Sequence, residues 1–280
     1  MISIILVQHN HAELTRQAVE SIQTIERSAY EIILIDNAST DSSTIEYCQS
    51  IRNTITVITN NSNVGFGQAN NQGAHIAKGE ILFFLNNDTI FTEPVFDTVQ
   101  KHFQEFPKCG IVGVSLKNSD NTFQISTGIF PSIVGELRTI RQSKSKKIPT
   151  NIEWVSGAAL AIRKELFQVV GGFDENYFMY FEDADLCKRV MQLGFSIDYE
   201  QNCSIIHLGG RSWKWNVVSP IVYEYRRSQI LFYKKHNSLA QNIFLRTYLL
   251  IKFFRSALRG KTDSYIARKI ITILFHAHRH

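Results

Sequence analysis

The sequence predicts an α/β protein: a Rossmann-like, mostly parallel central sheet flanked by helices, with a helical C-terminal extension. Three observations carry this. Apolar runs of five to seven residues alternate with segments of helical spacing through the first half. The loops after the predicted strands, "QHNH", "DNAST", "NNSNVGFG" and "NNDT", are rich in Asn, Asp, Ser and Gly. From Ser219 onward the spacing is helical to the end.

The elements follow in order. Residues 2–8 form a continuous apolar run, as in a strand buried on both faces. In residues 13–25, Leu14, Ala18, Ser21, Ile22 and Ile25 recur at helical spacing. Residues 31–35, 55–59 and 80–85 read as further strands and 66–77 as a helix. This alternation predicts parallel strands with helices on both faces and ligands at the carboxyl ends of the strands. After residue 110, residues 111–116 and 154–162 read as strands, with a basic loop between them from Arg138 to Asn151. Residues 182–193 have helical spacing. A catalytic domain over 1–218 is expected, in two halves divided at 110/111, followed by the extension 219–280.

Composition bounds the function. The 280 residues are 44% hydrophobic and 20% charged, enough for a sizeable core and unlike a disordered chain. A net charge of +5 suits an anionic partner. Cys48, Cys109, Cys187 and Cys203 form no C-x-x-C pair, which fits free thiols in a reducing cytosol. The opening "MISIILVQHN" has no basic leader and reads as a first strand. With no run of 18 apolar residues, a spanning helix is not expected.

Four constellations could carry chemistry. Asp36 closes the second strand in "LIDNAST" and reads as a turn residue or as a contact to a base or ribose; Asp41 reads as a helix cap. Asp88 in "LNNDT" reads as a turn residue or as a hard oxygen ligand for Mg²⁺ or Mn²⁺. Glu182, Asp183 and Asp185 open a helix, whose dipole favours acids there. Their aromatic surroundings would shield a carboxylate and raise its basicity, as a general base needs. His207, in "IIHLGGRS", reads as a structural histidine or a metal ligand, with Arg211 a phosphate contact.

Taken together, "IDNASTD", "NNSNVGFGQANNQG", "FLNNDT", "VSGAALAIRKELFQVVGGFDENYFMYFEDADLCKRV" and "IIHLGGRS" resemble glycosyltransferase family 2, and its bacterial rhamnosyltransferase-like members most closely, over residues 1–235. The resemblance implies a GT-A fold and inverting transfer of a hexosyl or rhamnosyl group from a nucleotide-diphosphate sugar, with dTDP-rhamnose a candidate donor. It implies a saccharide or lipid-linked acceptor and a role in bacterial surface polysaccharide synthesis. Asp183 would be the catalytic base, in preference to Glu182. Asp88 and His207 would hold Mg²⁺ or Mn²⁺. Asn10, Asp36, Asn63, Gly67, Asn70, Asn87, Trp154, Gly157 and Arg211 would contact substrate. Asn86 stands where some members carry the first acid of D-x-D, so metal affinity would depend on the bound diphosphate.

In the extension, helical projection gathers Ile243, Leu249, Leu250, Phe253, Phe254 and Leu258 on one side and Lys252, Arg255 and Arg259 on the other. This reads either as an element lying on an anionic membrane surface or as a helix packed on the core. The implied location is cytoplasmic, peripheral on the inner face of the membrane. The alternating histidines of the terminal "HAHRH" read as a frayed tail.

Two rivals are weaker. A dinucleotide-binding oxidoreductase would need the full glycine fingerprint, and "NVGFGQAN" lacks its third glycine and the following acid. A non-catalytic carbohydrate- or partner-binding module on a decayed transferase fold would have lost Asp88 or the Glu182-Asp183 pair. Nucleic-acid binding has no supporting motif.

Overall fold

The structure is a computed structural model, and it describes residues 1–132, 151–209, 220–258 and 269–274. The basic loop, Arg211, Arg259 and the histidine tail expected above lie outside these residues.

Four strands, β1 (Ile2–Gln8), β2 (Tyr30–Asp36), β3 (Thr56–Thr59) and β4 (Ile81–Asn86), pair in parallel in the order β3-β2-β1-β4. They alternate with α1 (Ala12–Ile25), α2 (Ser42–Ile51) and α3 (Phe66–Ile76), as the spacing predicts. Beyond β4 come β5 (Thr89–Phe91), α4 (Phe96–Glu105) and β6 (Cys109–Lys117), then the short strands β7 (Phe123–Gln124), β8 (Thr127–Gly128) and β9 (Trp154–Val155). Next are β10 (Ala159–Arg163), α5 (Lys164–Val169), α6 (Glu182–Gln192) and β11 (Ser196–His207), followed by α7 (Pro220–His236) and α8 (Leu239–Leu258). The strand expected over 154–162 is thus two strands, separated by a turn in which the Ala159 amide donates to Ser156 O at 3.3 Å.

The sheet crosses the expected 110/111 division without interruption. β10 pairs antiparallel with both β4 and β6, β6 pairs in parallel with β11, and β11 pairs antiparallel with β5. Period-2 alternation sends Ile5, Ile33, Ile35 and Phe84 to one face, under α3, α5 and α6. Ile4, Leu6, Ile32, Leu34, Phe83 and Leu85 go to the other, under α1 and α4. Both faces are therefore covered, which is why the strands read as unbroken apolar runs.

This topology makes one edge of the sheet chemically rich. The carboxyl ends of β1 to β4 open there. Because β10 runs the other way, its amino end arrives at the same edge, where the Asn86 amide donates to Ala158 O at 3.1 Å. β11 ends there too, since His207 pairs with Thr89.

The C-terminal helices pack on this body. The apolar set expected on one side of 243–258 divides between two faces. Leu249 and Phe253 are buried together with Leu245, whereas Ile243, Phe254 and Leu258 are exposed. Among the described residues, no helix is long and apolar enough to cross a membrane.

Candidate active site

The edge is built from four loops. Asp36 is buried, and its Oδ1 accepts the Ser39 amide at 3.1 Å. Asn10 ties the same loop down, its Oδ1 accepting from Thr40 N at 2.9 Å. Asp41 caps α2 by accepting from Thr44 N at 2.8 Å.

Asn37 is the hub of the nucleotide-side loops. Its Nδ2 donates to Asn63 Oδ1 at 2.9 Å, and its Oδ1 accepts from Asn60 Nδ2 and Val64 N, each at 3.0 Å. Asn63 Oδ1 also accepts from Gly65 N at 3.0 Å. Gly65 has φ +86°, and a Cβ there would lie 2.5 Å from Phe178 O. The 60–67 loop is thereby pressed against the aromatic segment that precedes α6. Gly67 is buried under the same segment, where a Cβ would come within 3.1 Å of Phe173 Cβ and 3.8 Å of Glu182 Cβ. Asn70 is fully buried; its Nδ2 donates to Phe66 O at 2.9 Å, while its Oδ1 has no hydrogen-bond partner.

Asp88 and His207 meet, although 119 positions separate them. His207 Nε2 is 3.1 Å from Asp88 Oδ1, and Asn86 Nδ2 is 3.3 Å from the same nitrogen. A second chain of contacts sets the tautomer. Gln124 Nε2 donates to Asn118 Oδ1 at 3.0 Å, which turns Gln124 Oε1 toward His207 Nδ1 at 2.7 Å. Nδ1 is then the protonated nitrogen, and the Nε2 lone pair faces the carboxylate. Two lone pairs this close repel unless a proton or a cation lies between them. The pair fits a divalent cation on that ground, with oxygens of a diphosphate to complete the coordination. Asn87 points elsewhere, its Nδ2 donating to Thr15 Oγ1 at 3.0 Å.

Across the edge, α6 presents the acid pair. Tyr180 and Phe181, directly before it, both have left-handed backbone, φ 70° and 68°. Asn10, His11 and Ala38 share this conformation, so such strain concentrates around the strand ends, as it does at functional sites. Asp183 Oδ2 accepts from Gly157 N at 3.0 Å and Oδ1 from Ala184 N at 2.7 Å. Burial raises the Asp183 carboxyl above its usual range, against the pull of these backbone donors. Burial, reinforced by the Asp183 charge, pushes Glu182 well above the carboxylate range, and Glu182 Oε2 has no partner. Trp154 is committed to the scaffold, its indole Nε1 donating to Ile129 O at 3.0 Å.

The C-terminal helices brace this acid pair. Asp185 is buried, with Arg189 Nε at 2.7 Å, Lys235 Nζ at 2.6 Å and His236 Nε2 at 2.7 Å. Burial opposes its ionisation, but His236, Arg189 and Lys235 outweigh that and hold the carboxyl far below its usual range. Tyr225 of α7 meets Phe181 edge to face and Phe232 packs on it at a tilt, with ring centroids at 5.1 and 5.9 Å.

Sequence reasoning missed Asn37, Gln124 and His236. Asn37 carried a signal, since it adjoins Asp36 in a loop of small polar residues. The other two are ordinary in their local context.

A second cluster, His102, Cys109 and Asp198, lies at the amino ends of β6 and β11. β11 bulges between Glu200 and Ser204, and the β6 partners of Asp198 and Ile206, Val112 and Lys117, are five residues or roughly 17 Å apart, so this cluster sits away from the edge described above. His102 bridges two carboxylates, Asp198 Oδ2 at 3.0 Å and Glu200 Oε2 at 3.2 Å, which ties α4 to β11.

The fold is that of the GT-A glycosyltransferases. A model described as "Glycosyl transferase family 2" matches residues 3–171, and one described as "N-terminal domain of galactosyltransferase" matches 138–207. The chain belongs to glycosyltransferase family 2. It is 23% identical to the N-acetylglucosaminyl-diphospho-decaprenol L-rhamnosyltransferase of Mycobacterium tuberculosis, over 92% of this chain and 94% of that protein. To the rhamnosyltransferase WbbL of Escherichia coli it is 25% identical, over 81% and 94%. Among solved structures it is similar to GalNAc-T7 with UDP, GalNAc and Mn²⁺, with a TM-score of 0.60 and 17% identity over 84% of this chain and 47% of that one. For Staphylococcus aureus TarS the TM-score is 0.58 and the identity 15%, over 91% and 43%. The chain thus spans about half the length of these two structures.

Proposed function

We propose that the protein is an inverting, metal-dependent glycosyltransferase. It would move a hexose or deoxyhexose, with dTDP-rhamnose the first donor to try, to a saccharide or lipid-linked acceptor at the cytoplasmic face of a bacterial membrane. Product sugar would enter a surface polysaccharide. The two rhamnosyltransferase relatives support this reading, as does a name among them that contains a lipid diphosphate acceptor.

The observation that carries the reaction type is the pairing of Asp88 with His207 across the edge from Asp183. The roles divide by position. Asp36 and the loops organised by Asn37 would take the nucleoside, with Asn10, Asn63, Gly67, Asn70, Gly157 and Arg211 as the wider contact set; Asn87 and Trp154, bonded to Thr15 and Ile129, would support it from behind. The ends of β2 and β4 flank β1, so they lie roughly 10 Å apart, a span suited to a nucleoside and its first phosphate. Asp88 and His207 would hold Mg²⁺ or Mn²⁺, which when bound neutralises charge on the departing diphosphate. The acceptor oxygen attacks the anomeric carbon as the bond to the diphosphate breaks, and the electron pair leaves with the nucleoside diphosphate. Asp183 takes the acceptor's proton. Gly157 and Ala184 fix Asp183 while leaving each oxygen a lone pair for that proton. Glu182, whose carboxyl is pushed well above its usual range by burial and the Asp183 charge, is less suited to the base role. Residues 1–110 would form the donor half, 111–218 the acceptor half and 219–280 the brace.

The test is a panel of UDP-, dTDP- and GDP-sugars scored by thermal shift with Mn²⁺ or Mg²⁺, because a ligand that binds the native state raises the melting point. Nucleoside diphosphate release in the presence of acceptor then scores turnover. Asp183→Asn should bind donor and not turn over. Full turnover by that variant would remove the base assignment, and no shift with any donor would support the non-catalytic alternative.

A further inference from the structure

α8 has two apolar faces, and only one serves the fold. Leu245, Leu249 and Phe253 are buried. Ile243, Phe244, Tyr248, Ile251, Phe254 and Leu258 are between 48% and 74% exposed. At about 100° per residue these six fall within one half of the helix circumference, and they run for roughly 22 Å along it. A continuous apolar stripe of this size on a soluble surface marks an interaction site.

The charge around the stripe selects its partner. α8 contains Arg246, Lys252 and Arg255 and no acid. Residues 237–280 hold eight Lys or Arg and a single acid, Asp263. Lys252 is exposed and borders the stripe, and the exposed Arg255 lies within its margin, between Phe244 and Tyr248 in projection. A second copy of this chain would bring the same positive charge against it, whereas an anionic lipid surface complements it. Since no described helix can cross a bilayer, the geometry is that of a helix lying in the interface plane, apolar side down and basic side among the headgroups.

We propose that the outward face of α8 docks on an anionic lipid bilayer. This names a partner for the enzyme proposed above and rests on that reading only for what the docking is for. α7 connects the two functions, because it packs with α8 and sets Tyr225 and Phe232 against Phe181 beside the acid pair. Docking through α8 would hold the catalytic edge near the surface where a lipid-linked diphosphate acceptor is presented.

The experiment is co-sedimentation of the full chain with phosphatidylcholine vesicles, with and without phosphatidylglycerol, at low and high salt. Binding should require phosphatidylglycerol and weaken with salt. The double variant Phe244→Ser/Phe254→Ser should bind about tenfold or more weakly at an unchanged melting temperature. Lys252→Glu/Arg255→Glu should lose the preference for anionic vesicles. If the serine variant melts lower, Ile251→Asp replaces it. Wild-type protein that stays in the supernatant, or variants that sediment like wild type, would overturn the proposal. So would a dimer in vesicle-free solution that Phe254→Ser dissociates. Nucleoside diphosphate release in the presence of acceptor is scored in parallel, without vesicles: release without vesicle binding removes only the docking proposal, and binding without release removes only the transferase reading.

Discussion

Asp183 is held by the backbone of a residue 26 positions away: Gly157 N donates to Asp183 Oδ2 at 3.0 Å. The contact exists because β10 runs antiparallel to β4, which returns residues 156–158 to the edge where α6 begins. It fixes the direction in which the carboxylate presents its free lone pairs.

Burial raises Asp183, so the proposed base is lost to protonation at a higher pH than an ordinary aspartate would allow. The acid limb of kcat/KM should lie above about pH 3.9, the ordinary Asp value. Asp183→Asn should lower kcat by about 10²–10⁴-fold, the usual worth of a general base. A pH–rate profile of wild type and initial rates of the variant check both.

Glu182 is raised in the folded state, so its contribution to stability is present below its unfolded pKa and is lost as pH rises through the folded one. Glu182→Gln removes that loss. The melting temperature of the variant relative to wild type should therefore be more favourable at pH 8 than at pH 4. Paired thermal melts across this range measure the difference.

Asp185 has the opposite sign. Its depressed folded pKa gives stability that is present above the unfolded value, about 3.9, and is lost as pH falls toward the folded one. Asp185→Asn removes the buried carboxylate that Arg189, Lys235 and His236 share, leaving Lys235 its second partner, Asp174 at 2.6 Å, and should cost about 3–5 kcal/mol at pH 7 in urea unfolding. The gap between the two proteins should narrow only in acid.

Gln124 orients His207 without touching the proposed metal. Loss of such an outer partner typically costs about 10–100-fold in metal affinity. Gln124→Ala should weaken Mn²⁺ binding by that factor in calorimetry at saturating nucleoside diphosphate, with the melting temperature of the metal-free protein little changed.

Gly65 combines φ +86° with a Cβ position 2.5 Å from Phe178 O, which is backbone and cannot swing aside. Gly65→Ala should cost on the order of 1–3 kcal/mol and loosen the junction of the 60–67 loop with the segment before α6. Denaturant melts and donor KM report the two effects.

The sequence by itself determined the local elements of the first half. Unbroken apolar runs need burial on both faces, and helical spacing between them needs covering layers, so β1 to β4 and their helices were legible. The acids at the start of α6 were legible too, as was the order of the five motifs that carry the family resemblance. The strand expected over 154–162 failed because the turn at 156–158 has small residues that fit either state. Tertiary structure alone decided the site. His207 reaches Asp88 through the pairing of β11 with β5, Gly157 reaches Asp183 through the reversal of β10, and Lys235 and His236 reach Asp185 from the C-terminal helix. Periodicity records which side of an element is buried, but strand order and direction choose which distant residues share an edge. The apolar set of α8 shows the same limit: a helical projection finds the apolar residues, and only the packed neighbours reveal that the core covers one face and leaves the other to solvent.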